Sequence, residues 1–153
     1  MKAKIAYVFK AQLVGMRGVS RKIAIRGDQS LVDLHEALRE AFGWSEDHLF
    51  AFWLDGGFWG DPAKAYKHPF AIEWSPVGDL RPGPKPKSAD LRIDRLRLKP
   101  KQRIAYVFDF GDEWRVKLTL IEVVPAEHDP YPAIIESRGE APPQYPDFEA
   151  DAA

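Results

Sequence analysis

The sequence predicts an α+β domain in which a mostly antiparallel sheet of about five to six strands packs on one main helix, residues 31–42. Three observations lead to this class. Alternating apolar residues mark several short strands, glycine-containing turns join two pairs of strands, and one segment has helical periodicity. The predicted order is β-hairpin, helix, strand and β-hairpin, followed by one further strand.

The first predicted element is a β-hairpin. Residues 3–13 place an apolar side chain at every second position, which is typical of a strand with one buried face. Residues 14–19 contain Gly15 and Gly18 and predict a turn, and the alternation resumes over residues 21–26. The two strands are therefore expected to pair with each other.

The helix has recognisable start and stop signals. Ser30 is a good N-cap residue, and Asp33 lies three positions later, where a capping box needs an acid. The apolar residues of segment 31–42 recur at helical spacing, and Gly43 can adopt the left-handed conformation that ends a helix.

The middle of the chain is less regular. Residues 48–54 are apolar on both faces and predict a strand that is covered on both sides or lines an aromatic groove. Residues 58–68 predict irregular structure, and residues 70–74 predict a short strand. Residues 76–90 contain four prolines and predict a mobile loop.

The last third of the chain predicts a second hairpin. A short helix or turn is expected over residues 91–98, and strands over residues 103–110 and 113–124 are joined by a tight turn. A final strand is expected over residues 131–136.

Composition fits one small domain. The 153 residues are 45% hydrophobic, which is enough to bury a core. We expect a domain over residues 1–137 and a flexible, acidic, proline-rich tail over residues 138–153. The absence of cysteine excludes disulfides and thiol chemistry, and it favours a cytoplasmic protein. No signal peptide or membrane segment is predicted, because no apolar run is long enough.

Charge is unevenly distributed although the net charge is −1. Residues 1–30 and 81–103 are basic, whereas residues 120–153 are acidic. The basic segments can form a binding patch for an acidic partner, or they can face the acidic tail or simply be solvated.

Two sets of residues are candidates for a site. The candidate catalytic residues are His35, His48, Asp109 and Asp112. Such groups can share a proton or bind a divalent metal, but histidine in a core and aspartate in a turn are also common structural residues. The candidate binding residues are Phe52, Trp53, Trp59, Trp114, Arg95, Arg97 and Lys99. Aromatic and basic side chains can stack on bases and bind phosphates, although aromatic residues can equally fill a core.

Three stretches of the sequence resemble one known family. They are Tyr7-x-Phe9 with Arg21-Lys22-Ile23; Leu31-x-Asp33-Leu34-His35 through Ala41-Phe42-Gly43-Trp44 to His48-Leu49-x-x-Phe52; and Tyr106-x-Phe108-Asp109-Phe110-Gly111-Asp112-x-Trp114. The chain resembles the plasmid pRi ORF-three-like family, which includes insertion-element passenger proteins. The resemblance implies a curved sheet around the helix, a prokaryotic cytoplasm and plasmid or mobile-element neighbourhoods. It implies no particular activity.

Three departures from the family pattern concern chemically reactive positions. Ser20 stands where the family usually has tryptophan, and Arg115 and Val116 stand where Glu-His is common. The tail lacks the cysteines that the family often carries there. Metal or acid chemistry that depends on those family residues is therefore not expected in this chain.

The leading hypothesis is a non-enzymatic module that binds a protein or a nucleic acid through its sheet and aromatic strand. The alternative is a metal-dependent hydrolase or nuclease that uses the His/Asp set, and a third is an accessory protein whose site has been lost. No nucleophile, metalloprotease or phosphate-loop motif is present. No cofactor and no metal site are predicted.

Overall fold

A computed structural model describes residues 4–68, 87–127, 130–142 and 144. The elements in chain order are β1 (Ile5–Leu13), β2 (Ser20–Arg26), α1 (Leu31–Phe42), β3 (Phe50–Trp53), β4 (Ala65–Lys67), β5 (Lys87–Ser88), β6 (Arg103–Phe108), β7 (Trp114–Pro125) and β8 (Ala133–Arg138). Short 3₁₀ turns cover Pro62–Lys64 and Ile93–Arg95. The strand predicted over residues 70–74 and most of the loop predicted over residues 76–90 lie outside the described residues.

The strands form one sheet in the order β5-β4-β3-β6-β7-β1-β2-β8. Neighbouring strands are antiparallel except for β4 and β5, which run parallel. The β1–β7 and β2–β8 ladders each contain a register shift. Irregularities of this kind increase the local twist of a sheet.

The predicted fold class is therefore wrong. The described part of the chain has eight strands in one mixed sheet and a single short helix, instead of five to six strands packed on a main helix. Eight strands at about 4.8 Å spacing make a sheet roughly 34 Å wide. A helix of 12 residues is only about 18 Å long and cannot cover that width.

The helix itself begins and ends at the predicted residues. The Ser30 hydroxyl accepts a hydrogen bond from the Asp33 backbone N–H at 3.2 Å, and the Asp33 carboxylate accepts one from the Ser30 backbone N–H at 2.9 Å. Gly43 ends the helix with a φ of 76°. Within the described residues, no helix is long and apolar enough to cross a membrane.

The two faces of the sheet differ in what covers them. On one side, which we call the helix face, inward residues of the strands pack with Leu31, Leu34 and Leu38 of α1 in one large hydrophobic cluster. The opposite side, which we call the open face, has a much smaller cluster. It consists of Ala51, Trp53, Ala65, Ala105 and Val107, with Phe58 and Phe110 packed against it.

Candidate functional site

His35 lies in the core with both ring nitrogens occupied. Its exposed fraction is 1%, its Nδ1 atom is 2.7 Å from the Tyr106 hydroxyl, and its Nε2 atom is 2.9 Å from the Asp47 carboxylate. A carboxylate only accepts hydrogen bonds, so Nε2–H donates to Asp47. The neutral ring then accepts at Nδ1, and the Tyr106 hydroxyl donates.

Burial keeps this group neutral. Desolvation lowers the pKa of His35 to about 4 and outweighs the opposing effect of the Asp47 carboxylate. Burial also raises the pKa of Tyr106 well above its ordinary value, so the phenol retains the proton that it donates. Tyr106 itself has 0% exposure. The pair is closed to substrate and is best explained as a satisfied polar contact in the core.

One set of side chains near His35 has the geometry of metal ligands. Single ligand atoms of His35, Glu36 and Asp47 lie within 4.8 Å of one another. Arg39 competes for both carboxylates, because it donates to Glu36 at 2.9 Å and lies 3.7 Å from the Asp47 oxygen. The His35 Nε2 lone pair is also absent in the tautomer described above. These contacts make the set an ion-paired cluster instead of a vacant metal site.

Two of the other predicted catalytic residues, His48 and Asp109, form a separate pair. The His48 Nε2 atom lies 3.6 Å from the Asp109 carboxylate. The second oxygen of Asp109 accepts backbone N–H groups from Gly111 at 3.1 Å and Asp112 at 3.3 Å. Asp109 thus organises the turn between β6 and β7, and its own φ is 62°.

The structure therefore divides the predicted His/Asp set. His35 pairs with Asp47, whereas His48 pairs with Asp109, and the two imidazoles both lie against the ring of Phe108. Asp112 contributes a backbone donor to the turn. The sequence pattern missed Asp47, whose only signal was its place after the helix, near the start of β3.

The predicted aromatic binding residues lie on different faces. Phe52 is fully buried on the helix face, and Trp114 packs against Trp44 there, with 5.7 Å between ring centroids. Trp53 is on the open face. Trp59 follows it in the next loop and is 41% exposed. Of these four, only Trp53 and Trp59 lie on the open-face side, and Trp53 is itself buried with 2% exposed.

Trp59 lies at the centre of a group that we call the aromatic patch, made of Trp53, Phe58, Trp59 and Phe110. Its ring centroid is 5.6 Å from that of Trp53 and 5.1 Å from that of Phe110. Its φ of 53° is rare for a non-glycine residue, and such strain often accompanies function. Cations flank the patch, because Arg115 lies over Phe58 and Lys67 lies over Phe110, at 5.8 and 5.5 Å.

The strand register continues this patch into a row of cations. On the open face, Lys117 of β7 is opposite Gln12 of β1, and Lys10 of β1 is opposite Lys22 of β2. We call the outward cations of these neighbouring strands the basic lane. Its members are Lys10, Lys22, Arg115, Lys117 and Arg138.

The sequence contained a signal for the basic lane. Alternation in the predicted hairpin assigns Lys10 and Lys22 to the polar face of their strands. The sequence did not indicate the strand order. Pairing of β1 with β7 places Lys117 beside Gln12, although the two residues are far apart in the chain. The predicted basic residues Arg95, Arg97 and Lys99 are exposed in the connection that leads to β6.

Comparisons with known proteins give a family and a fold. A curated relative, the uncharacterized protein y4hQ of Sinorhizobium fredii, is 29% identical over 127 residues, or 82% of this chain. The chain spans 58% of that relative's length. The crystal structure of MM3350, a protein of unknown function from Methanosarcina mazei Go1, matches 94% of this chain and 74% of its own, with a TM-score of 0.69 and 21% identity.

The likeness to MM3350 supports the fold alone, because the sequence identity is only 21%. The sequence profile of the plasmid pRiA4b ORF-3-like protein family matches residues 5–146, which include all eight strands and the helix. The resemblance seen in the sequence motifs is thereby confirmed. The chain belongs to the plasmid pRiA4b ORF-3-like family.

Proposed function

We propose that this protein is a non-enzymatic binding module for single-stranded nucleic acid and that the open face is its contact surface. One observation carries the proposal: the strand register aligns the basic lane with the aromatic patch, whose Trp59 is 41% exposed, on the same side of the sheet. Proteins that bind single strands without sequence preference combine these two features, a positively charged path for the backbone and aromatic rings for the bases.

The dimensions of the surface fit such a ligand. From Trp53 on β3 to Arg138 on β8, the surface crosses six neighbouring strands. At about 4.8 Å per strand spacing this is roughly 24 Å. The length is comparable to a site of about four nucleotides, the lower end of the range for single-strand binding folds.

The charge of the surface also fits, although the whole chain has a net charge of −1. Among the lane residues, Lys22 and Arg138 share one acid, Glu136. Arg115 pairs with Glu113 at 3.2 Å. Like charges directly opposite each other destabilise a sheet, as with Lys10 and Lys22, and a bound polyanion would relieve that repulsion.

The test measures fluorescence anisotropy of a labelled fifteen-nucleotide oligothymidine. We expect Trp59→Ala to weaken binding by roughly 5- to 150-fold, because base stacking contributes about 1–3 kcal/mol. Leu49→Ala is the matched control, since Leu49 is 49% exposed and lies outside the aromatic patch. Affinity should also fall steeply as salt is raised.

Two results would contradict the proposal. One is the absence of measurable binding by the native chain at low salt. The other is equal affinity of Trp59→Ala and the native chain, because the aromatic patch would then have no part in binding.

The proposal places this interaction in the cytoplasm of a prokaryote, in association with plasmids or mobile elements. The family's name, which refers to a plasmid reading frame, supports that setting. The alternative of a metal-dependent hydrolase has less support from the geometry. It would gain support if Mn²⁺ or Zn²⁺ promoted cleavage of the oligothymidine and His48→Ala abolished that cleavage.

A further inference from the structure

A large cavity opens beside the β1–β2 turn, at one end of the basic lane. Its volume is about 820 Å³. Its polar lining comes from Lys10, Gln12, Arg17, Ser20, Lys117 and Arg138, and the rest comes from the turn itself. Four cations therefore line the cavity, and no carboxylate belongs to its lining.

Three of these cations have no partner in the described part of the chain. The side chains of Lys10, Arg17 and Lys117 make no ion pair or hydrogen bond there, whereas Arg138 pairs with Glu136. Lys10 and Lys117 are also only partly exposed. Partial removal of a charge from water costs free energy that a paired anion would offset.

Cross-strand pairing fixes how closely the cations approach. Gln12 is the register partner of both Lys117 on β7 and Ser20 on β2, so β1 lies between the two flanking strands. Lys10 is the next outward residue of β1, and Arg138 is opposite Ser20. The cavity thus has cations on three strands and neutral donors, Gln12 and Ser20, between them.

We infer that this cavity holds a backbone phosphate of the bound strand and that Lys10 and Lys117 are its principal ligands. The inference rests on the proposed function and assigns a different part of the nucleic acid to each end of the surface. Bases stack on the aromatic patch at one end, and a phosphodiester is held beside the hairpin turn at the other. Flexible ammonium groups suit this role, because a phosphate in a mobile strand approaches from varied directions.

The decisive experiment compares two double variants with the native chain on labelled eight-nucleotide oligothymidine. We expect Lys10→Gln with Lys117→Gln to weaken binding by about tenfold or more. The slope of log affinity against log salt should fall by roughly 1.4, since each lost contact to a single strand contributes about 0.7. Lys4→Gln with Lys101→Gln is the matched control, because it removes the same charge from exposed positions outside the cavity.

The outcomes separate this inference from the proposed function. Equal losses in the two double variants, with Trp59→Ala still impaired, would overturn the phosphate site and leave the binding module intact. Absence of native binding would overturn both. Inorganic phosphate at constant ionic strength provides the last arm. If millimolar phosphate binds the native chain through Lys10 and Lys117 without weakening oligonucleotide binding, the cavity is a site for free phosphate and the assignment to a strand is overturned. We expect no phosphate binding of that kind.

Discussion

The neutral state of His35 links one residue to the pH dependence of folding. In the folded protein its pKa is about 4, and the ordinary value is 6.5. Between these two pH values the unfolded chain binds more protons than the folded chain. Stability contributed by neutral His35 is therefore complete above pH 6.5 and is lost as the pH falls toward 4.

We expect the free energy of unfolding to fall by about 3 kcal/mol between pH 6.5 and 4 because of this residue alone. Urea denaturation followed by circular dichroism across that range measures the slope. His35→Gln should be less stable near neutral pH but should lose most of the slope, whereas His48→Gln should keep it. An unchanged slope in His35→Gln would mean that other groups produce the acid sensitivity.

Tyr106→Phe tests the hydrogen bond between the Tyr106 hydroxyl and His35. The change removes the donor to His35 Nδ1 and leaves a buried acceptor without a partner, which costs about 1–3 kcal/mol of stability. Thermal and urea unfolding measure the loss. Tyr66→Phe is the control, because no hydrogen bond to the Tyr66 hydroxyl is present among the described residues, and it should change stability by less than about 0.5 kcal/mol.

At this scale the sequence predicted the location of His35 but not its chemistry. Its helical spacing from Leu31 and Leu38 indicated the core-facing side of the helix, and the structure buries it there. Its partners Asp47 and Tyr106 are 12 and 71 residues away. No helical or strand periodicity brings such positions together, so the pattern grouped His35 with other conspicuous polar residues.

The Arg21 side chain connects three secondary-structure elements. Among the contacts between elements, the loss of its contacts should lower stability most. Arg21 is 7% exposed and donates to the carbonyl oxygens of Ala41 in α1 at 2.9 Å and Arg138 in β8 at 2.8 Å. A cation there also favours the negative end of the helix dipole.

We expect Arg21→Met to lower the free energy of unfolding by about 2–4 kcal/mol, since two elements lose a charged hydrogen-bond donor in a buried setting. Lys22→Met, one residue along the same strand, should change stability by less than about 1 kcal/mol because its ion pair is partly exposed to solvent. Urea denaturation distinguishes them. Similar small losses in both would show that water replaces the Arg21 contacts.

Gly139 marks the close approach of the chain after β8 to the first hairpin. Its φ is 73°, and an added Cβ would lie 2.3 Å from the Gly18 carbonyl oxygen. Gly15 has a similar φ of 87° but open space around the Cβ position.

Gly139→Ala should therefore be much more destabilising than Gly15→Ala. For Gly15→Ala we expect a loss of about 1–2 kcal/mol from backbone strain alone. Gly139→Ala should cause the same strain and also displace the backbone at Gly18. It should therefore broaden the amide resonances of the hairpin turn in nuclear magnetic resonance spectra. Equal losses in stability would mean that the segment after β8 moves away without cost.

The sequence predicted an element well when the element was long or carried capping residues or a clear alternation of apolar and polar residues. The helix carries both caps in its sequence, and β1, β2, β6 and β7 are long enough for alternation to show. In contrast, β4 has three residues and β5 has two. Strands so short are defined by backbone hydrogen bonds to neighbours, which side-chain patterns do not record, and this is why the predicted strand number was too low.

At the scale of the whole molecule, the two faces of the sheet divide stability from the proposed binding. The helix face contains the large cluster and the His35 contacts, whereas the open face contains the basic lane. We expect Lys117→Gln to leave the unfolding midpoint nearly unchanged, since surface substitutions usually stay within about 0.5 kcal/mol. The same variant should weaken oligothymidine binding, so the two measurements on one sample separate the two roles.

The end of the described chain bears on the expected division into a domain over residues 1–137 and a tail. Gln144 is 8% exposed and exchanges two hydrogen bonds with the backbone of Glu46, at 3.2 and 2.9 Å. We propose that this contact belongs to the folded unit, so that the domain extends beyond residue 137 to include Gln144. A chain shortened to residue 137 should unfold at lower urea concentration than one shortened to residue 146.

The exchange of the Tyr106 hydroxyl proton with solvent should report how often the fold opens. The proton is enclosed between the sheet and the helix, and its acceptor, His35 Nδ1, is buried as well. Exchange of that proton with solvent requires these two layers to separate, so its lifetime should follow the slowest opening event of the molecule instead of local fraying. A ligand that settles on the open face without touching this contact would lengthen the lifetime only by stabilising the folded state as a whole.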